Sequence, residues 1–535
     1  MIKKDMSLQI LTNGRIYLFD PSFQHVESLA IRNGTVVAAG TQDELLSLFR
    51  GNSEITDLMG RCVIPGLIDS HVHIKSLALQ ASRIDCETKT LAECLSRVSS
   101  YVNTTPEGIW IQGRGWNQNP WRRFGTAQDL DSITVNHPVY LVAKSGHAAW
   151  VNSRALQIAG IDGNTSNPDG GEIQHDQHGH PTGILFENAM KLVSEWLPEP
   201  TAGELRENIN KIHDLLWRIG LTGYHDFDGS LAFRALQSLH ASGSLGMRVL
   251  KNIPLNHLEN AIQLGLRTGF GDSWLRIGNI KIFTDGALGP QTAAMIEPYK
   301  GQPTQRGILL FNTPELTEII FHAVQNDFGV SIHAIGDQAN RVVLDSIQAV
   351  QERDTLNEFG HLRHRIEHLQ LLHPDDLKRP AALKIIASMQ PIHATSDMNI
   401  ADRHWGSPRI RYGYAWKSVL DSGGLLVFGS DAPIEDPNPF LGLHAAVTRR
   451  RIDGSPSKNG WNPEEKISLK QALLAYTKGP AYAAGLENSL GSLMPGFFAD
   501  LVVLEVNPFE CPIDQLPNLS PVGTMVGGEW KFRNF

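Results

Sequence analysis

The sequence predicts an α/β protein with a (β/α)₈ TIM-like barrel, a composite β-sandwich domain from both termini and an inserted cap. Three observations lead to this fold class. Apolar runs of strand length alternate with helical segments through the middle of the chain, which is the pattern of βαβ units and a parallel sheet. Both ends contain short strand-like segments separated by turn residues. A long turn-rich stretch separates the first two barrel strands.

Eight strand candidates account for the barrel. Their spacing is mostly about 25 to 50 residues, which leaves room for one helix after each strand of a barrel that averages about 250 residues. In chain order they are residues 63–68, 222–226, 247–253, 279–284, 330–334, 365–370, 384–390 and 425–430.

The two ends of the chain are predicted to form one domain together. Asn-Gly pairs at 13–14 and 33–34 separate strand-like segments near the N-terminus, and this pair is a hairpin signal. The C-terminal segment has the same β character. We therefore expect residues 1–62 and 485–535 to form the composite β-sandwich domain around a barrel at 63–484.

The gap between the first two barrel strands indicates an insertion. It runs from Ile68 to Thr222, which is far longer than one helix and its loops. Residues 78–215 are therefore predicted to form an inserted cap within the barrel domain.

Composition excludes several classes of protein. The 535 residues are 41% hydrophobic and 19% charged, as in ordinary globular proteins. A net charge of −9 without a basic stripe argues against a nucleic-acid partner. No apolar run reaches the length of about 18 residues that a membrane span needs. Four cysteines without a C-x-x-C pair and the absence of a signal-peptide core favour a cytoplasmic protein. The sequence leaves open whether the chain forms a homodimer.

His71 and His73 follow directly on the first strand candidate. Alternation along an extended chain directs both imidazoles to one side, where two neutral nitrogens can hold one cation. The pair is weak evidence by itself, because the chain contains 21 histidines.

Four further residues strengthen the metal hypothesis, because each lies at or near the C-terminal end of a strand candidate: Lys281, His333, His368 and Asp431. Barrel enzymes carry their active sites on that face, so these residues are expected to converge there. Histidines and a carboxylate with an open position suit a catalytic divalent metal. The alternative is that the histidines are core residues and the lysine pairs with a surface acid.

The sequence resembles the amidohydrolase superfamily and, within it, amidohydrolase family 3, the group that includes N-substituted formamide deformylase. The resemblance covers nearly the whole chain. Its motifs are VIPGLIDSHVH at 63–73, IKIFTDGALG at 280–289, SIHAIGD at 331–337, RIEH at 365–368, MQP at 389–391 and GSDAP at 429–433. The resemblance implies a barrel with a β-sandwich and the metal ligands His71, His73, Lys281, His333, His368 and Asp431.

Lys281 requires a chemical modification to serve as a ligand, because an ammonium group has no lone pair. Carboxylation by CO₂ would give a carbamate that can bridge two metals, and similar enzymes carry this modification. The alternative is an unmodified lysine in a one-metal enzyme. One or two divalent metal ions are expected, with zinc first among them.

The ligand set implies hydrolysis by a metal-bound hydroxide that attacks a carbonyl group. Asp431 is the candidate general base and later acid. The family resemblance favours cleavage of the C–N amide bond of a small-molecule N-acyl or N-formyl amine.

Candidate substrate contacts come from two places. The segments GRGWNQNPW at 113–121 and GHAAWVN at 146–152 of the insertion also resemble the family, and they supply Trp116 and His147. His393, after the seventh strand candidate, is a candidate contact to the substrate's carbonyl or amide. Tryptophans also pack in cores, so a structural role for Trp116 stays open.

Two acidic residues are candidates for positioning the ligands. Asp69 could orient a ligand histidine through its second ring nitrogen, and Asp285 could act similarly after Lys281. The alternative for both is loop capping at a strand end.

Other functions on the same scaffold remain open. Similar single-metal deaminases place a glutamate soon after the histidine of the fifth strand, whereas residues 334–337 contain none. Ester, carbamate and phosphotriester substrates fit the same chemistry. A non-catalytic regulatory relative would have lost metal ligands, and none is missing.

Overall fold

A computed structural model of the chain describes residues 8–49, 51 and 53–535. The chain divides into two compact units, one of residues up to Leu77 together with Ile209–Phe535, and one of Ala78–Asn208. Among the described residues, no helix is both long and apolar enough to cross a membrane.

The larger unit contains an eight-stranded parallel sheet, which confirms the predicted barrel. Each strand pairs with the next one along the chain, and most strand residues are buried, as expected for a parallel sheet covered by helices. The strands are β1 (Leu67–Val72), β2 (Leu221–Asp226), β3 (Arg248–Pro254), β4 (Leu275–Phe283), β5 (Val330–Ala334), β6 (Arg365–His368), β7 (Ile386–Met389) and β8 (Leu425–Phe428).

Helices separate these strands, and several begin with clear sequence signals. Asn312 caps one helix, with its side chain and that of Glu315 forming a reciprocal capping box. The helix after β7 begins with Pro391, a favourable first residue. The helices are Ile74–Ala81, Ala202–Arg218, Ser230–Ala241, Leu258–Gln263, Thr313–Gln325, Asp337–Arg353, Arg379–Ala382, Pro391–His404, Trp416–Asp421, Pro439–Thr448, Leu469–Ala475 and Lys478–Ala483.

The first strand candidate, residues 63–68, is two strands rather than one. Cys62–Pro65 pairs antiparallel with Leu501–Leu504, whereas β1 begins at Leu67 and pairs with β2. Gly66 joins them, and a Cβ atom there would lie 2.3 Å from the Thr222 side-chain oxygen. Only glycine fits here without a shift of the neighbouring strand. Gly66 is therefore the residue at which the chain passes from one sheet to the other.

Strands near the ends of the chain form two further sheets in the larger unit. The six-stranded sheet combines N-terminal and C-terminal strands, and residues of both ends share one hydrophobic cluster. Its strands are Arg15–Tyr17, His25–Val26, Cys62–Pro65, Leu501–Leu504, Pro521–Val526 and Glu529–Arg533. The four-stranded sheet contains Leu8–Thr12, Ser28–Arg32, Thr35–Gly40 and Ser53–Asp57, and the helix Gln42–Leu48 follows its third strand.

A buried ion pair joins these terminal strands to the barrel. The Arg248 guanidinium of β3 donates to the Asp500 carboxylate, with Nη2 2.9 Å from Oδ1. Arg248 also lies between two aromatic rings, 3.9 Å from the centroid of Phe498 and 4.7 Å from that of Trp274. Because a buried charge without its partner is strongly destabilising, the two parts are coupled energetically.

The smaller unit has its own sheet and its own core. The predicted insertion extends to residue 215, whereas the compact unit ends at Asn208. Its strands are Ile84–Asp85, Ile111–Trp116, Val139–Ala143, Ala148–Val151, Gly171–His175 and Pro181–Glu187. Its helices are Leu91–Val102, Gln118–Trp121, Ala127–Asp131, Ser153–Ile158 and Lys191–Ser194. Its function as a cap stays a prediction.

Candidate metal centre

The six predicted ligands lie at the C-terminal ends of the barrel strands and line one cavity of about 630 Å³. His71 lies in β1, and His73 comes directly after the end of this strand. The strands β4, β5 and β6 each carry one further ligand, and the carboxylate follows β8. The ligands are His71, His73, Lys281, His333, His368 and Asp431. The structure therefore brings together all six side chains that were predicted to be metal ligands.

Asp431 is the point on which the imidazoles converge. Its Oδ1 lies 3.6 Å from His71 Nε2 and 3.4 Å from His73 Nε2, and its Oδ2 lies 3.9 Å from His393 Nε2. Two donors bound tetrahedrally to one zinc ion would lie roughly 3.3 Å apart, given metal–ligand bonds of about 2.0 Å. The spacing therefore suits donors that share a cation.

Two overlapping groups of donors share this carboxylate. His71, His73 and Asp431 form one, and His368, His393 and Asp431 form the other, with the donor atoms of each group within 4.8 Å of one another. A carboxylate has two oxygens, so Asp431 can take part in both groups.

Each predicted histidine ligand has one ring nitrogen held by a protein acceptor. The acceptors are a carboxylate for His71 and His73, a backbone carbonyl for His333 and an amide oxygen for His368. The contacts are His71 Nδ1 to Glu367 at 2.7 Å, His73 Nδ1 to Asp228 at 3.2 Å, His333 Nε2 to Gly286 O at 3.0 Å and His368 Nδ1 to Gln390 at 2.9 Å. A nitrogen that donates to an acceptor carries the proton, so the opposite nitrogen has the lone pair that a metal requires.

Glu367 is a functional residue that the sequence analysis missed. It lies fully buried on β6 beside Arg365, whose Nε is 2.8 Å from its carboxylate. Burial would raise the pKa of Glu367, but the Arg365 guanidinium and the hydrogen bond from His71 hold it well below its usual range. The carboxylate thus stays ionised and fixes the proton of His71 on Nδ1.

Replacing Glu367 with glutamine is expected to lower zinc affinity by about 10- to 100-fold, because the amide no longer fixes the ring and proton of His71. Competition with a chromophoric chelator would measure the affinity. Glu465→Gln is the matched control, since Glu465 is also a buried carboxylate but bonds Ser418 on the helix Trp416–Asp421. Equal affinities of the two variants would contradict the positioning role.

Lys281 is buried, and its Nζ has no hydrogen-bond partner among the described residues. The ammonium lies 4.6 Å from the ring centroid of Phe227 and 4.8 Å from that of Phe283. Burial lowers the pKa of Lys281 to about 8. The Lys281 amine therefore lines the same cavity as the imidazoles and has no hydrogen bond to the described residues. This position is compatible with carboxylation of the amine, which would make the side chain a metal ligand.

Asp69 positions the site differently from the prediction. It does not hold the second ring nitrogen of a ligand histidine, because Glu367 holds that of His71. Instead its Oδ1 accepts the backbone N–H of His71 at 3.0 Å and that of Ser430 at 3.1 Å. The carboxylate therefore joins β1 to the segment that carries Asp431.

Asp285 fixes the loop after β5. Its carboxylate accepts the backbone N–H groups of Ile335 at 3.0 Å, Gly336 at 2.8 Å and Ala294 at 3.0 Å. Its Oδ1 also lies 3.5 Å from His333 Nε2. Burial raises the pKa of Asp285 to about 7. Its position is consistent with support of the His333 ligand.

Two ligands have strained backbones. His368 has φ +74° and Asp431 has φ +59°, a left-handed conformation that costs non-glycine residues about 1–3 kcal/mol. Such strain persists only where contacts with the surrounding structure hold the residue in this conformation, and it often occurs at functional sites. Here it turns both side chains at the point where their strands end.

The three candidate substrate contacts lie in different surroundings. His393 is 7% exposed and lines the cavity beside Asp431. Trp116 is buried in the core of the smaller unit, where its indole N–H donates to Leu141 O at 2.8 Å. His147 is exposed and lies 3.0 Å from the Glu187 carboxylate. Trp116 therefore has a packing role, and substrate contact by it or by His147 stays a prediction.

Comparisons with known proteins identify the family of this chain. The model of the amidohydrolase family (Amidohydro_3) matches residues 54–530, and the chain belongs to this family. A curated relative is the protein LONG AFTER FAR-RED 3 of Arabidopsis thaliana, 34% identical over 97% of this chain and 91% of that protein. The N-substituted formamide deformylase of Arthrobacter pascens is 27% identical over 98% of each chain.

A solved structure shows the same fold. The crystal structure of an uncharacterized metal-dependent hydrolase from Pyrococcus furiosus is 31% identical, with a TM-score of 0.77 over 94% of this chain and 100% of that one. Family membership therefore implies a hydrolase that uses a divalent metal.

Proposed function

We propose that this protein hydrolyses the C–N amide bond of a small-molecule N-acyl or N-formyl amine. The observation that carries the proposal is the convergence of imidazole donors on Asp431 inside one cavity. The deformylase from Arthrobacter pascens supports the type of bond, because its name describes cleavage of an N-substituted formamide.

The residues present fit a divalent metal. His71 Nε2 and Lys281 Nζ are buried and have no hydrogen-bond partner among the described residues, and unpartnered buried polar atoms are costly unless something binds them. Zinc suits imidazole and carboxylate donors. When bound, such a metal polarises a carbonyl and lowers the pKa of water from 15.7 to about 7.

Asp431 would move the proton during hydrolysis. Burial would raise its pKa, but the neighbouring imidazoles of His73 and His71 hold it well below its usual range, so the carboxylate starts ionised. It would accept a proton from the attacking water and deliver it to the amine nitrogen as the C–N bond breaks. The products are a carboxylic acid and an amine.

The size and walls of the cavity favour small substrates. Its volume of about 630 Å³ falls within the range of small-molecule sites. Apolar side chains form much of the wall, among them Phe283, Leu288, Ile335 and Ile400. A substrate with a hydrophobic substituent on one side of the amide would therefore fit.

A substrate screen with the zinc-loaded full chain tests the proposal. We expect release of benzylamine from N-formylbenzylamine or N-acetylbenzylamine, loss of this activity after chelation, and recovery after zinc is added back. Amine release by chromatography is the measurement. Ammonia release from aminopurines without any amide cleavage would show a deaminase instead. Cleavage of matched esters or carbamates but not of amides would show that the substrate is an ester or a carbamate.

A further inference from the structure

The cavity contains two carboxylates beyond the predicted metal ligands. Asp397 lies one helical turn after His393 in the helix Pro391–His404, and Glu435 follows Asp431 in the segment after β8. Residues four apart in a helix share a face, and both acids line the same cavity as His393. The helix that carries His393 and the segment that carries Asp431 therefore each carry one further acid. We call these two acids, Asp397 and Glu435, the acidic pair.

The described wall of the cavity carries little positive charge that could neutralise the acidic pair. Among the described residues that line the cavity, Lys281 is the one lysine and arginine is absent. The Tyr414 hydroxyl donates to Asp397 at 2.6 Å. Burial raises the pKa of Glu435, a hydrogen bond from Ser396 and the nearby His393 ring lower it, and the charge of Asp397 raises it. A cavity whose wall carries two carboxylates attracts cations.

His393 gives a second, independent indication of a ligand. It is 7% exposed, yet neither ring nitrogen has a hydrogen-bond partner among the described residues. Its Nε2 lies 3.9 Å from Asp431 Oδ2, so the ring lies beside the predicted reaction centre. Buried polar groups are nearly always bonded. A cation in the second donor group would engage one ring nitrogen of His393, so the other nitrogen points to a polar group of the substrate.

We propose that the cavity selects N-acylated amines that carry a second, positively charged amino group. Asp397 and Glu435 bind the ammonium group, while His393 contacts the amide. The absence of arginine from the wall disfavours N-acyl amino acids, whose free carboxylate would meet the acidic pair. This inference rests on the proposed amide hydrolysis and adds the charge of the substrate.

Three substrates of matched length test the charge preference. N-acetyl-1,4-diaminobutane carries the ammonium group, N-acetylpentylamine replaces it with a methyl group, and N-acetyl-4-aminobutanoate replaces it with a carboxylate. With the zinc-loaded full chain, we expect kcat/KM for the cationic amide to exceed that of the neutral one by roughly 10- to 100-fold, with the anionic amide slowest.

Two isosteric substitutions test the residues. D397N and E435Q together should remove the preference by lowering kcat/KM for the cationic amide roughly 10- to 100-fold, with less than about a twofold change for the neutral amide. E358Q is the matched control, because Glu358 is exposed and does not line the cavity. Circular dichroism and zinc content should match the unsubstituted protein.

The outcomes separate this inference from the proposed function. Equal hydrolysis of all three amides, an equal loss with every substrate, or an additional metal ion lost in the double variant would overturn the ammonium site. Calorimetry with 1,4-diaminobutane gives a readout that does not need turnover. Binding of this diamine that the double variant loses would support the site even if no amide were hydrolysed.

Discussion

Asp431→Asn is expected to reduce kcat for amide hydrolysis by roughly 10²- to 10⁴-fold, the usual contribution of a general acid–base group. Asparagine keeps the shape and one oxygen of the side chain, but it cannot accept a proton from water or return one to the leaving amine. The donors of His71 and His73 lie within 3.6 Å of this carboxylate, so metal content must be measured beside the rate.

The control for this variant is Asp421→Asn. Asp421 is an exposed carboxylate that pairs with Lys417 in the helix Trp416–Asp421, and its substitution should leave kcat unchanged. Near-normal turnover by Asp431→Asn with its full complement of metal would show that another group moves the proton.

Lys281→Ala is expected to lower metal content from two ions per chain to one or fewer, because a carbamate on this lysine would bridge the pair. Elemental analysis after gel filtration measures the stoichiometry. Intact-mass analysis under non-denaturing conditions should show one added CO₂ on the unsubstituted protein and none on the variant. Lys378→Ala, at an exposed lysine, is the matched control.

Retention of two ions by Lys281→Ala would exclude a bridge at this position. One ion in both proteins, with no added CO₂, would favour the alternative of an unmodified lysine in a one-metal enzyme. Partial recovery of the second ion on addition of a short carboxylate would support the bridge, because such an acid can occupy the space that the side chain leaves.

The barrel was predictable because its strands are buried apolar runs at regular intervals. Each of the eight strand candidates overlaps an observed strand. The division of the first candidate at Gly66 was not predictable from the run itself. Both pieces are equally buried, and the partner of the first piece, Leu501–Leu504, lies near the other end of the chain.

The clustering of the six candidate ligands was predictable, because each occurs in a motif at a strand end. The groups that orient the ligands were not, since contacts such as His71–Glu367 and His73–Asp228 join residues far apart in sequence. A signal for Glu367 did exist, as a carboxylate directly before His368 in a buried strand needs a partner. No local pattern distinguishes a tryptophan of the core, such as Trp116, from one at a ligand.

The join between the first and last barrel strands passes through the metal site. The Asp431 N–H donates to His71 O at 2.7 Å, and the His73 N–H donates to Ala432 O at 2.9 Å. The side chains on the two sides of this join are themselves candidate metal donors. A bound ion would thus link the first and last strands reversibly and keep the barrel closed. At a free metal concentration of 1,000 times the Kd, binding would add about 4 kcal/mol to the free energy of unfolding. Availability of the metal would then control the lifetime of the protein as well as its turnover.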